Sequence, residues 1–156
     1  MRPKALGLRE IDIRLDEPEL VDSIIERLDG EISSIVPTDP NAKLLDALPG
    51  VAPYTALFLS SAIGNVNRFS DSKHLCAYLG LVPPLHQSGD VMLTEHIAKL
   101  GNRFLRRIMV ECAKVAVRKD PHLREFYLRV RQKGGNKKAL IAVARKMTGY
   151  ACWMMR

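Results

Sequence analysis

Ser88 stands in Gln87-Ser88-Gly89-Asp90, and a serine hydroxyl becomes a nucleophile once a neighbouring group takes its proton. Serine beside glycine is also ordinary turn composition, so both readings stay open at this residue. Downstream, Arg103, Arg107, Lys114 and Arg118 recur at steps of four, seven and four, which gathers them on one helix face. Phe104, Leu105, Ile108, Met109, Cys112 and Val115 turn to a core on the other. Lys137, Lys138, Arg145 and Lys146 form a second basic surface beside Leu140, Val143, Ala144 and Met147. Faces of this kind neutralise phosphates and bind polyanions in a salt-dependent way, although basic solvated faces also keep proteins soluble. His74, His86, His96 and His122 lack the spacing of metal ligands, and no pair of acids at helical spacing stands in apolar sequence. The three cysteines, Cys76, Cys112 and Cys152, are far apart in apolar runs; they read as reduced core residues. No complete active site is legible from the residues alone.

Leu48-Pro49-Gly50-Val51 lies between two short helical patterns and resembles a helix-hairpin-helix. In that motif the amides of the glycine turn and the positive end of the next helix hold a DNA phosphate. Gly50 and Val51 are therefore candidate DNA contacts. A plain helical turn would also use Pro-Gly, and Ala52 stands where a second glycine is usual, which limits how closely a phosphate can approach the backbone.

Charge is divided along the chain. Residues 99–156 carry 16 Lys and Arg against three acids, while residues 1–98 carry eight bases against 14 acids. A net charge of +7 so distributed points to nucleic acid as the partner of the basic part. Apolar residues make up 47% of the chain and aromatics only 6%, a composition suited to helices rather than aromatic strands, so the fold expected is all-α. No apolar run reaches the length of a membrane span, and the first 16 residues lack the apolar core of a signal peptide. A cytoplasmic protein without membrane contact is expected.

The elements that must position these groups follow from pattern and punctuation. Ile11, Ile13 and Leu15 alternate as in a short strand, or belong to an irregular tail. From Asp16, a possible cap, with Pro18 in the first turn, Val21, Ile25, Leu28, Ile32 and Ile35 recur at steps of four and three. This is a coiled-coil seam two heptads long, which either packs on the domain or pairs with another protomer. Pro37 and Pro40 end that helix. Leu44, Leu45 and Leu48 predict a short helix, residues 54–63 an apolar one, and Phe69-Ser70-Asp71-Ser72 the start of a third ending near Gly80. Residues 81–93 read as a long polar connection. Three more helices are predicted over about 103–118, 121–133 and 136–154, divided by Asp120-Pro121 and Gly134-Gly135. Residues 1–40 thus form a tail and connector helix, and 41–156 a helical domain with a helix-hairpin-helix-like unit.

Read in order, several fragments resemble the carboxyl-terminal domain of the DEDD insertion-sequence transposases and Piv-type DNA invertases. They are Leu48-Pro49-Gly50-Val51, Ile63-Gly64-Asn65-Val66 with Arg68-Phe69, Ala77-Tyr78-Leu79-Gly80-Leu81-Val82-Pro83, Gln87-Ser88-Gly89, Ile97-Ala98-Lys99-Leu100-Gly101-Asn102 and Leu105-Arg106. The resemblance covers residues 42–154, and the heptads before it are similar to the helical connector of those enzymes. It implies that Ser88 matches the serine that attacks a DNA phosphate, and it adds Lys99 and Arg106 to the candidate DNA contacts. Four acids of an RNase-H-like domain hold divalent metal in that family. Asp12, Asp16 and Asp22 are too clustered to replace them, and Glu95 stands where a small residue is common. No cofactor is therefore expected in this chain, and metal only together with the acidic domain.

The resulting expectation is a DNA-binding transposase or recombinase fragment that supplies Ser88 to a site completed by another polypeptide, and that does not recombine DNA alone. Expected partners are DNA, a guide RNA as in some family members, a second copy of the chain, or the RNase-H-like domain. A noncatalytic DNA-binding remnant and a helical protein-interaction module are the alternatives.

Overall fold

Three helices open on an aspartate whose carboxylate accepts the amide protons that a first turn leaves unbonded. Asp39 accepts from Asn41 and Ala42, Asp71 from His74, and Asp120 from His122 and Leu123. Pro40 and Pro121 follow two of these caps, where the missing proline N–H costs nothing. The computed structural model describes the backbone of residues 5–82, 86–88, 91–93 and 103–156, and the side chains of residues 18–82 and 103–156. In chain order the elements are α1 (Ala5–Ile35), a 3-10 turn (Val36–Thr38), α2 (Pro40–Asp46), α3 (Pro53–Ile63) and a second 3-10 turn (Val66–Arg68). Then come α4 (Ser72–Tyr78), β1 (His86–Ser88), β2 (Val91–Leu93), α5 (Arg103–Lys119) and α6 (Pro121–Met154).

The fold is all-α, with one small antiparallel hairpin in which His86 pairs with Leu93, Gln87 with Met92 and Ser88 with Val91. The polar connection expected over residues 81–93 thus holds two three-residue strands; in the sequence Gly89-Asp90 between them is a dipeptide of the hairpin type, but His86-Gln87-Ser88 is too short and polar to announce a strand. The two last predicted helices are the arms of α6. They meet at Gly135, whose φ of 76° and ψ of 174° is a conformation open to glycine and strained for other residues.

Ala5 to Ile35 is one helix of 31 residues with Pro18 inside it, so neither a strand over Ile11, Ile13 and Leu15 nor a helix start at Asp16 is present. Ile11 and Leu15 are four apart, a spacing that suits a helix as well as an alternating strand. An interior proline removes one hydrogen bond and crowds the carbonyl four residues back, at a cost of about 3 kcal/mol, and the helix continues through Pro18 nonetheless.

The core lies where α2, α3, α4, α5 and α6 meet. Leu45, Leu59, Ile63, Leu75, Leu79, Leu105, Met109, Leu123 and Met147 are essentially free of solvent contact, each contributing about 1.5–3 kcal/mol by burial. Phe104, expected in this core, is instead 52% exposed and packs edge-on against Phe58 with centroids 5.3 Å apart. Val21, Ile25 and Leu28 of the heptad seam are also exposed, so these residues do not pack on the domain.

One tertiary link could not be read from local pattern. The hydroxyl of buried Ser60 in α3 donates to the second carboxylate oxygen of Asp39 at 2.7 Å, tying the cap of α2 to α3. That bond, together with the amides of Ala42 and Asn41, holds the Asp39 carboxyl below the usual aspartate range.

Candidate nucleic-acid interface

The turn between α2 and α3 is built by two backbone bonds. Leu48 N–H donates to the Leu45 carbonyl and Val51 N–H to the Leu48 carbonyl, each at 3.1 Å. Gly50 at its tip has φ of 83°, and a β-carbon there would lie 2.4 Å from the Cys112 carbonyl oxygen and 2.6 Å from the Ala116 nitrogen. Gly50 is therefore the point at which the hairpin seats on the α5 backbone. Val51 spends its amide inside the turn. The amides left over by helix geometry are those of Tyr54 and Thr55 in the first turn of α3, since Pro53 has none and Ala52 provides no side-chain cap.

Beside that turn is a cleft of about 300 Å³ whose walls include Gly50, Thr55, Phe104, Arg107 and Glu111. The structure thus brings the hairpin and Arg107, read separately in the sequence, to one place. Glu111 lies there too, with its carboxylate 2.7 Å from the Lys114 ammonium, so Lys114 has a local partner. Arg103 and Arg107 are exposed on α5. Arg106 is half-buried, and its Nε donates to the Gly80 carbonyl at 2.6 Å. This bond clamps the end of α4, and a β-carbon on Gly80 would collide with the guanidinium.

On α6, Lys137, Lys138 and Arg145 are exposed. Lys146 lies over two rings, 4.8 Å from the centroid of Phe126 and 5.8 Å from that of Tyr150. Ser88 is the last residue of β1, which fixes its backbone opposite Val91. Lys99 falls outside the described residues.

Other groups with chemical potential resolve into structural roles. Ser70, Asp71 and His74 converge, but the serine oxygen at 2.7 Å and the aspartate oxygen at 2.8 Å both approach His74 Nδ1. A serine-activating triad needs them on opposite ring nitrogens, so this is the cap of α4. All three cysteines are buried free thiols, and burial pushes the Cys112 thiol up to about 11, which removes the thiolate needed for reactivity. Among the described residues no three His, Cys, Asp or Glu gather into a metal site. Among them, too, no helix is long and apolar enough to cross a membrane.

Residues 42–128, which take in the hairpin, Ser88 and α5, match the profile of the Transposase IS116/IS110/IS902 family. The chain belongs to that family. It is 32% identical over 130 residues to the insertion element IS110 uncharacterized 43.6 kDa protein of Streptomyces coelicolor, covering 83% of this chain and 32% of that protein. Similarity to the pilin gene-inverting protein of Moraxella bovis is 34% over 130 residues, 79% of this chain and 40% of that protein. The transposase for insertion sequence element IS1111A of Coxiella burnetii is 30% identical over 97 residues, 62% of this chain and 27% of that protein. This transposase-family chain therefore spans between about a quarter and two fifths of the length of these relatives.

Proposed function

We propose that this chain is the DNA-contacting, carboxyl-terminal portion of a transposase or site-specific recombinase, and that Ser88 is its nucleophile on a DNA phosphodiester. The family match over residues 42–128 carries the reading. The 16 bases and three acids of residues 99–156 support it. The proposed phosphate contacts are the first-turn amides of α3 beside the Gly50-Val51 turn, with Lys99, Arg103 and Arg107, and Lys137, Lys138, Arg145 and Lys146 on α6. Arg106 serves this surface by holding α5 to the end of α4.

In the reaction, Ser88 Oγ forms a bond to phosphorus while the bond from phosphorus to one deoxyribose oxygen breaks. The hydroxyl proton passes to a base and the departing oxygen takes up a proton. The phosphoserine diester retains the energy of the broken bond, so a strand hydroxyl can attack it and regenerate the serine. The acids that would hold divalent metal belong, on this reading, to an RNase-H-like domain outside this chain, and no step here is routed through them.

The test is binding of the purified chain to duplex DNA across a salt series, beside a variant with Arg103, Arg107, Lys137 and Lys138 changed to alanine. If each contacts one phosphate, the salt slope falls by about 3 to 4. Between roughly 50 and 200 mM salt the parent then loses about 100-fold more affinity than the variant. Equal slopes would remove these residues from the interface, and no binding at low salt would remove the proposal.

The exposed seam of α1 supports a second copy of the chain as a further partner. Two seams that bury Val21, Ile25 and Leu28 against each other form a short coiled coil. Ile25→Lys with Leu28→Lys is expected to convert a dimer to a monomer in equilibrium sedimentation; an unchanged mass would rule the pairing out.

A further inference from the structure

Trp153 is 84% exposed, well above Leu20 at 62%, the next of the large hydrophobic residues among the described side chains. A single exposed hydrophobic residue calls for no partner by itself; it is the surroundings of Trp153 that point to one. Lys146, Tyr150 and Trp153 follow one another at helical steps of four and three, so they form a single stripe on α6. Tyr150 is itself exposed, and the Lys146 ammonium lies against its ring. From residue 126 to the end of the chain there are eight Lys and Arg and no acid. Arg156 donates to the carbonyls of Phe69 and Ser70 at 2.8 and 3.0 Å, which pins the helix end and holds the stripe in place. At that anchor the Arg68 guanidinium lies over the rings of Phe69 and Tyr78, 4.6 and 4.8 Å from their centroids.

Flat aromatic faces interleaved with cations suit a ligand that has both π faces and a regular negative charge. Duplex DNA offers the charge but keeps its bases stacked inside, whereas a single strand presents both. A protein surface that covered Trp153 would leave the cations unmatched unless it were acidic. We propose that the Lys146–Tyr150–Trp153 stripe is a stacking platform for unpaired bases of single-stranded nucleic acid. The inference rests on the reading of this chain as a nucleic-acid-contacting transposase fragment, and adds to it a site and a strand state.

Trp153 is the one tryptophan in the chain, so its fluorescence reports the site directly. The 156-residue chain is titrated with oligo(dT), oligo(U) and a duplex of equal length. Single strands are expected to quench the emission strongly and the duplex weakly, with the two single-stranded arms separating a DNA from an RNA preference. Trp153→Ala, at an exposed position that leaves the core intact, is expected to weaken single-strand binding by about 5- to 150-fold. It should leave duplex affinity within about twofold, and Trp153→Tyr should restore most of the loss. If duplex binds and no single strand quenches, or if Trp153→Ala leaves single-strand affinity unchanged, the platform is refuted while the DNA reading stands. Quenching only by an added RNase-H-like domain would also refute it, as a protein contact. If neither form of nucleic acid binds at low salt, both proposals fall.

Discussion

Gly50→Ala is expected to lower the melting temperature by about 10–15 °C. The new β-carbon would sit 2.4 and 2.6 Å from backbone atoms of Cys112 and Ala116, neither of which can rotate away. The hairpin must lift from α5 and loosen the packing of Leu48 and Cys112, and the φ of 83° adds a conformational cost of its own. Overlap and partial loss of burial together come to about 4 kcal/mol, a large share of the roughly 5–15 kcal/mol that holds a domain folded. For a domain of this size each kcal/mol moves the transition by about 2–4 °C. Gly135→Ala is the control, because its φ is also positive but nothing lies within 4 Å of an added β-carbon. It should show the conformational cost alone. Thermal unfolding followed by circular dichroism measures both; a Gly50→Ala transition no lower than that of Gly135→Ala would mean that the hairpin does not seat on α5. Loss of DNA affinity in a Gly50 variant must accordingly be separated from loss of fold.

Ser88→Ala has the opposite profile. On the proposed reading, complete loss of covalent attachment and strand transfer is expected with DNA affinity unchanged within about twofold, because one hydroxyl would carry the bond to phosphorus and few of the phosphate contacts. Ser88 ends β1 opposite Val91, a position where alanine keeps the same backbone pairing. The measurement uses end-labelled DNA incubated with the chain and a separately supplied RNase-H-like domain, resolved under denaturing conditions for a protein–DNA adduct. An adduct of equal yield from Ser88→Ala would end the nucleophile assignment. If the salt-dependent binding remained while the parent itself formed no adduct, the chain would be the noncatalytic binder.

The sequence by itself determined the features that depend on neighbours within a turn or two. Asp120-Pro121 starts α6 because the cap and its amides lie within three residues of each other, and Gly134-Gly135 marks the break between its arms for a similarly local reason. The burial of Cys76, Cys112 and Cys152 follows from apolar periodicity, and the concentration of bases after residue 99 is a matter of counting. Proximity across the chain was decided by the tertiary structure. Arg106, one more basic residue in the sequence, is drawn to the Gly80 carbonyl, and Gly50, read as a phosphate-binding glycine, meets the backbone of α5. Phe104 fits the apolar face of α5 by spacing, yet lies at the edge of the core, 52% exposed beside Phe58. Trp153 gives no sign in the sequence of its exposure. Helical periodicity specifies which residues share a face, and only the packing of one helix on another decides which faces meet the core and which are left for a partner.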